Sequence, residues 1–567
     1  MNKFKFPIML CACAALTVAC EDNLEEPQKG VTSYENYYKT DADAEGALVA
    51  MYATYCENIA RPNGEAIICP YLALFNLPGD DLYAAGEFYG DNDFNGEIDE
   101  FREGTNAQLV TSMYKGFYQI IYGANLVIEN ITPDSQVKKR CVAEARVMRA
   151  FAHMMLAIGW NNPPKVDHLL GGDAQPVNCD HNELLQWCAD ECLESVGDLD
   201  ERANTADKNG TAKITKGFAN FVAGKALVFK GDFAAAKAPL KAIISSGKYA
   251  LVPTERIRET FHVVGEGNEE VIFAGNIQPN PAIGDWGGMI EKTTWMHMDI
   301  WGWRNDHWNG KPSSVKGGWG GLGVREEFAA EFVANEGDSP RRKAWILKYD
   351  PEVLYEMEYP GDTVGGSKGF TNEQKSTLDD RGIRTYTYGQ SEYLQYKRLT
   401  DNSDMTSWFS HLNVLIARYA EVLLLYAEAC AQTGDNDGLQ YLQAIQTRAG
   451  APVSSTLTLD AVKKEKKFEM FLEGCRFPDM VRWGEAATSE ILKHSGDKVP
   501  YLFDAKYDAN GNAEGVGSVE SKHRIYLDYK SHNEGKEHGF KAGKHEYFPF
   551  PFAETSINPA IQQNPGW

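Results

Sequence analysis

Apolar and polar residues alternate along this chain in two regimes. From about residue 40 to residue 246, apolar positions recur at the three-to-four-residue interval of a helix with one buried face. Asp41 to Cys56 carries Ala42, Ala44, Ala47, Leu48 and Met51, with Thr40 or Asp41 as its N-cap. Asn106–Ile131 and Gln136–Trp160 share that spacing. After a loop containing Pro163-Pro164 and Gly171-Gly172, further helices are predicted over about 182–200 and 214–230.

Two segments repeat one pattern. Ala219-Asn220-Phe221-Val222-Ala223-Gly224-Lys225-Ala226-Leu227 leads to Gly231-Asp232-Phe233, and Ala417 to Ala429 leads to Thr433-Gly434-Asp435. Small residues inside paired helices that meet at a Gly-Asp turn are similar to tetratricopeptide (TPR) units, in which small side chains let antiparallel helices approach and stacked pairs share a core. Between them, over 250–410, the helical period fades and glycine and aromatics rise, as in Gly284-Asp285-Trp286-Gly287-Gly288 and Gly317-Gly318-Trp319-Gly320-Gly321. A second irregular stretch, 486–545, holds Tyr507-Asp508-Ala509-Asn510-Gly511-Asn512, a hairpin-turn pattern. The expected fold is therefore mainly α. TPR-like helical pairs form a scaffold over about 36–250 and 411–485, which supports a loop-rich, irregular subdomain with a few short strands over about 251–410 and 486–545. Long loops in a folded chain are usually functional.

Composition narrows the functional classes. With 567 residues, 43% of them hydrophobic and 11% aromatic, the chain can bury a large core and is not of the disordered type. Its net charge of −24 excludes nucleic acid as an expected partner, because phosphate contacts need a basic face. Residues 1–19 have a secretory-signal pattern, with the basic start Met1-Asn2-Lys3-Phe4-Lys5, an apolar run from Phe6, and Leu16-Thr17-Val18-Ala19 before Cys20. Cysteine after a small residue resembles a bacterial lipobox, in which the thiol is acylated and becomes the mature N-terminus. Thr17 departs from that pattern, where a larger aliphatic residue is commoner, and the alternative is an ordinary cut near Ala19. Cys20 is thus the expected lipidation site, and Glu21-Asp22-Asn23-Leu24-Glu25-Glu26 opens an acidic tether over 20–35. Such an acidic start resembles the surface-export signal of Bacteroidetes lipoproteins. No later apolar run approaches the roughly 20 residues of a spanning helix. Eight cysteines remain after Cys20, mostly within apolar helical text, and the Cys188/Cys192 pair lacks the partners of a zinc site.

A family resemblance enters in the C-terminal third. Glu473-Gly474-Cys475-Arg476-Phe477-Pro478-Asp479-Met480-Val481-Arg482-Trp483-Gly484 resembles the E-G-x-R-x-x-D-x-x-R-W-G signature of the SusD/RagB family. Arg418 to Ala429 resembles the helix that precedes it, and Glu144 to Phe151 an N-terminal one. Pro549-Phe550-Pro551-Phe552-Ala553-Glu554, Asn558-Pro559 and Gln563-Asn564-Pro565-Gly566 resemble the family's tail. The resemblance implies a SusD-like domain over 36–567 in an outer-membrane lipoprotein exposed at the cell surface. Such proteins capture nutrients, usually glycans, for a SusC-like TonB-dependent transporter, without cleaving them. The runner-up keeps this role with peptides or another nutrient as cargo, and a surface glycoside hydrolase is the rival class. Within the signature, Glu473, Arg476, Asp479, Arg482 and Trp483 are read as an Arg–carboxylate network that fixes a buried helix, with ligand contact as the alternative.

Candidate binding residues come from the irregular segments. Six of the twelve tryptophans fall within 286–319: Trp286, Trp295, Trp301, Trp303, Trp308 and Trp319. An indole offers a broad face to the C–H side of a sugar ring and a polar N–H at its edge, and the interleaved Asp299, Arg304, Asn305, Asp306, His307 and Asn309 could bond hydroxyls. The alternative is that the rings pack the loops onto the scaffold. Asp80 and Asp81 are a second candidate wall, since family ligand sites draw on N-terminal loops. Asp91, Asp93, Asn95, Glu97 and Asp99 fit the ligand positions of an EF-hand loop up to the ninth, making them a candidate calcium site. Position twelve is Arg102 and not the bidentate Glu, which favours a solvated acidic turn. No cofactor is required, and no catalytic motif of the G-x-S-x-G or H-E-x-x-H kind is present.

Overall fold

The first helix starts where the sequence offers reciprocal caps. Thr40 Oγ1 accepts from the Asp43 amide, and Asp43 Oδ2 accepts from the Thr40 amide at 2.7 Å, launching α1 (Asp41–Ile59). The computed structural model describes residues 37–59, 70–86, 90, 93–276, 302, 320–348, 387–389, 391–406, 409–410, 412–503, 506–507, 513–514 and 526–567. After α1 come α2 (Pro70–Asn76), β1 (Leu82–Ala84), α3 (Asp93–Asp99), α4 (Gln108–Asn130) and α5 (Gln136–Trp160). Ser135 caps α5 by accepting from the Lys138 amide, and its hydroxyl donates to Asp41, tying the starts of α1 and α5 together.

Helix α5 is buried on every side over its second half, the mark of a central helix. Its aromatics extend a chain through the core. Tyr55 of α1 packs on Phe151, Phe151 on Phe218, and Phe218 on Phe273 with centroids 4.2 Å apart. Two polar side chains of α5 are bonded within this core. The Arg149 guanidinium donates to Asn125 Oδ1 and Glu191. His153 Nε2 accepts from the Val166 amide, which leaves Nδ1–H to donate to the Arg149 carbonyl, and burial depresses its pKa to about 4.

The helical pairs follow. α6 (His181–Ser195) precedes α7 (Lys216–Lys230) and α8 (Phe233–Ser245), which join at Gly231, with φ +83°, and Asp232, whose carboxylate caps α8 at the Ala235 amide. At Gly224 an added Cβ would lie 2.6 Å from Leu240, so the small residue sets the spacing of α7 and α8.

β2 (Val271–Gly275), β3 (Leu322–Val324), α9 (Glu326–Glu336), α10 (Pro340–Trp345), β4 (Ile346–Lys348) and β5 (Tyr393–Gln395) occupy the region where no helical period was evident. Helices α9 and α10 fall within the stretch read as loop-rich with a few short strands. They are short, and only Phe328, Ala329 and Phe332 of α9 mark its buried face, too few to set a period. β6 (Val414–Arg418) pairs antiparallel with β2, then runs into α11 (Tyr419–Thr433), α12 (Leu439–Ala449), α13 (Leu459–Glu469) and α14 (Arg476–Arg482). Gly434, with φ +70°, and Asp435 form the turn between α11 and α12, and a Cβ on Gly438 would sit 2.8 Å from Ala427 Cα. β7 (Lys498–Phe503) pairs with β8 (Tyr526–Ser531) on one side and with Thr387–Tyr388 on the other. Lys506–Tyr507 pairs antiparallel with Ala513–Glu514 on either side of the Asn-Gly sequence.

The tail closes over the end of α5. Trp160 Nε1 donates to the Pro549 carbonyl, and Asn564 Nδ2 donates to the carbonyls of Trp160 and Phe548. The result is a helix-dominated fold whose strands are short two- and three-stranded pairings. Among the described residues, no helix is long and apolar enough to cross a membrane.

Candidate functional site

The signature sits on a heavily charged interior. Arg418, at the junction of β6 and α11 and 1% exposed, donates to Glu270 at 2.6 Å, Glu469 at 2.8 Å and both oxygens of Glu473 at 2.6 Å. Arg448 bridges Glu270 and Glu469 from α12, and Arg341 joins Glu336, Glu465 and Glu469. Lys397 bonds Glu473 and the carbonyls of Glu469 and Phe471. Burial opposes the charge on Glu469, yet the surrounding guanidiniums hold its carboxyl far below the usual range. At Lys397 burial wins over Glu473 and lowers the pKa to about 7.

The rest of the motif forms a second knot. Arg482 donates both terminal nitrogens to Glu428 at 2.5 and 2.6 Å and its Nε to Asp479 at 2.8 Å, while Trp483 Nε1 donates to Glu428. Lys466 also pairs with Asp479. Arg476 grips Asp80 bidentately at 2.6 and 2.9 Å, with Lys467 as a third partner. Burial disfavours the Asp80 carboxylate, but Arg476 and Lys467 hold its pKa well below the ordinary value.

Asp80 thereby joins the signature to a small frame formed by β1 and β3, which pair antiparallel with Leu82 opposite Val324 and Ala84 opposite Leu322. The Ala85 amide donates to the Gly321 carbonyl, and the Gly320 amide to Gly302. Arg325, 2% exposed, donates to Asp99 and to Ser495 Oγ and lies over the Tyr83 ring at 4.1 Å. Gly389, with φ +70°, packs so closely that a Cβ would come 2.5 Å from the Ala84 carbonyl, and its amide donates to Pro500. The frame thus gathers positions 86, 302, 320 and 389 from three distant parts of the chain. These are the points next to which residues 87–89, 303–319 and 390 attach.

The sequence-derived candidates fall in different places. Cys20, Asp91 and the tryptophans Trp286, Trp295, Trp301, Trp303, Trp308 and Trp319 lie outside the described residues. Asp80 and Asp81 do not form an open wall. Both are buried, Asp80 under Arg476, and Asp81 with an Oδ1 that no donor reaches. Burial and the adjacent Asp80 charge push the Asp81 pKa up to about 7. The EF-hand loop is likewise corrected in its geometry. Asp93–Asp99 is helical, and Asp99 turns to Arg325 while Asp93 pairs with Arg102. A ligand loop needs its alternate residues turned to one centre, which helical periodicity prevents.

Among the described residues, the three-membered cluster of metal-ligand type is His262, Asp401 and Asp404. Asp404 already accepts from His262 and from the amides of Val263 and Asp401, so the cluster holds a turn. Sequence reading missed the network members Lys397, Arg341, Arg448 and Glu469. Their signal was present in part, as Glu465 and Glu469 stand one helical turn apart beside apolar Phe468 and Phe471.

Comparison with known proteins agrees with this architecture. Residues 302–567 match the model of the SusD family. A SusD-like protein of Bacteroides ovatus is 20% identical over 98% of this chain and 97% of its own length. A SusD-like protein of Formosa agariphila is 22% identical over 86% of this chain and 93% of its own length. Among solved structures, a laminarin-binding SusD-like protein superposes with a TM-score of 0.70 at 22% identity, covering 94% of this chain and all of that one. The surface glycan-binding protein A of Bacteroides thetaiotaomicron, in complex with laminarihexaose, gives a TM-score of 0.68 at 20% identity over 93% of this chain and all of that one. At these identities the structural likeness is one of fold.

Proposed function

We propose that this chain is a SusD-family protein: a non-catalytic, lipid-anchored protein of the outer cell surface that captures oligosaccharides and delivers them to a SusC-like TonB-dependent outer-membrane transporter. The observation that carries the reading is the family match over 302–567, which includes the signature from Glu473 to Gly484. Two fold neighbours described as binding laminarin or laminarihexaose support glycan as the cargo class. Cys20 supplies the anchor and the acidic residues after it the tether.

The frame of β1, β3 and Gly389 supports a role for the tryptophan-rich segment, because the chain on either side of 303–319 is fixed there by buried pairs. Rigid supports under long loops are the usual basis of a recognition surface. The charged interior has no evident catalytic use. Its carboxylates are consumed by guanidiniums at hydrogen-bond distance, leaving no exposed acid–base pair in the network.

Isothermal titration against a panel of neutral glycans, with reducing-end release measured in parallel, tests the reading. Saturable binding without new reducing ends is expected. The double variant Trp301→Ala/Trp303→Ala should weaken that binding at least tenfold with little change in melting temperature. Reducing ends accumulating with time would overturn the non-catalytic assignment, and tight oligopeptide binding without a glycan signal would shift the cargo class.

A further inference from the structure

A groove between α1 and α4 shares no residue with the signature network or the β1–β3 frame. Its volume is about 590 Å³, and four tyrosines line it: Tyr37, Tyr38, Tyr118 and Tyr122. That size falls within the roughly 300–1,000 Å³ common to small-molecule sites. Tyr37 and Tyr38 meet edge to face with centroids 4.8 Å apart, and the Tyr118 hydroxyl is fixed on the Pro164 carbonyl at 2.7 Å. Tyr122 projects 59% exposed, a large aromatic surface left to solvent.

Two glycines make room for this arrangement. A Cβ at Gly46 would stand 3.1 Å from the Tyr37 hydroxyl, and one at Gly116 would stand 3.0 Å from Asn58 Oδ1. Asn58 is 3% exposed and lines the groove; its Nδ2 donates to the Thr54 carbonyl, while its Oδ1 accepts from no group. That oxygen is closed off against Gly116, so hydrogen bonds to a ligand in the groove fall to exposed lining residues such as Gln119 and Glu57. The ionisable residues of the lining are of both signs, Glu57 and Glu554 against Lys115. That balance favours a neutral ligand over a strongly charged one.

We propose that this groove is a second carbohydrate site, in which a neutral oligosaccharide packs a C–H face on the tyrosine rings and meets the exposed Gln119 side chain with its hydroxyls. The proposal rests on glycan capture for its ligand class and adds a location on the helical scaffold, away from the tryptophan-rich segment.

The test uses the full-length chain labelled with 3-fluorotyrosine, the Tyr122 resonance assigned by Tyr122→Phe, and laminarihexaose plus neutral hexaoses of other linkages as probes. Hexaose addition should shift the Tyr122 resonance, and the shift should persist in Trp301→Ala/Trp303→Ala. Tyr122→Ala, at an exposed position, should fold normally and raise the dissociation constant of the groove at least tenfold. Hexaose binding with an unmoved Tyr122 resonance would overturn the groove and leave glycan capture standing. A resonance that moves with protein concentration but not with hexaose would assign the groove to self-association and overturn the proposal. Absence of hexaose binding anywhere would overturn the capture reading, and this one with it.

Discussion

Glu103 shows at the scale of one residue how burial outweighs composition. Its carboxyl is 5% exposed with Oε2 unpartnered, and burial pushes its pKa up to about 8. The folded state therefore keeps a proton that the unfolded chain releases near its ordinary pKa. Stability from this group is full below that value and is lost as pH rises through about 8. Glu103→Gln keeps the neutral form at every pH. Denaturant titrations should show wild type losing stability relative to E103Q by on the order of 3 kcal/mol between pH 5 and pH 8; parallel curves would show that the carboxyl is ionised throughout. Such groups are illegible in the sequence, because nothing local to Phe101-Arg102-Glu103-Gly104 distinguishes Glu103 from a solvated acid. Asp80 and Asp81 were misread for the same reason. An acidic loop looks exposed until its partner, Arg476 some four hundred residues away, is seen beside it.

Elements were more legible than residues. Helix α5 spans the stretch the apolar spacing marks, and the Gly-Asp turns that pair α7 with α8 and α11 with α12 lie where small residues and punctuation place them. Long amphipathic helices repeat their signal over several turns; α9 has too few turns to do so, and α3 was hidden by a ligand-loop pattern that its side chains also fit. The close approach of α7 and α8 gives a test at this scale. Gly224→Ala should destabilise the protein by about 1–3 kcal/mol through overpacking on Leu240. Leu240→Val in the same chain should recover part of that loss in urea denaturation. Additive losses would mean that the two helices do not meet at this point.

Across the whole molecule the dominant device is the buried charge network, which draws together strands, helices and loops from 270 to 473. Arg418→Met would leave Glu270, Glu469 and Glu473 short of one guanidinium in a buried setting. Removing one partner of a buried pair costs about 3–5 kcal/mol, with little salt dependence. The exposed Lys493–Glu490 pair should contribute at most ~1 kcal/mol, so Lys493→Ala serves as the control. Urea unfolding at two ionic strengths checks both; a mild R418M variant would show that water reaches the network. The motif residues of this network were legible as a signature, whereas their partners Lys397 and Arg341 came from stretches without a period to mark them.

The tail bears on how the molecule is assembled in time. The carbonyl of Trp160 awaits a side-chain amide 404 residues further along, and its indole N–H awaits the Pro549 carbonyl. Helix α5 can form early, as a local element, but its end stays unsealed until residues 548–564 have been made and have docked. The N-terminal helices therefore wait in an unfinished state for most of synthesis, with the apolar terminus of α5 in need of protection from other chains.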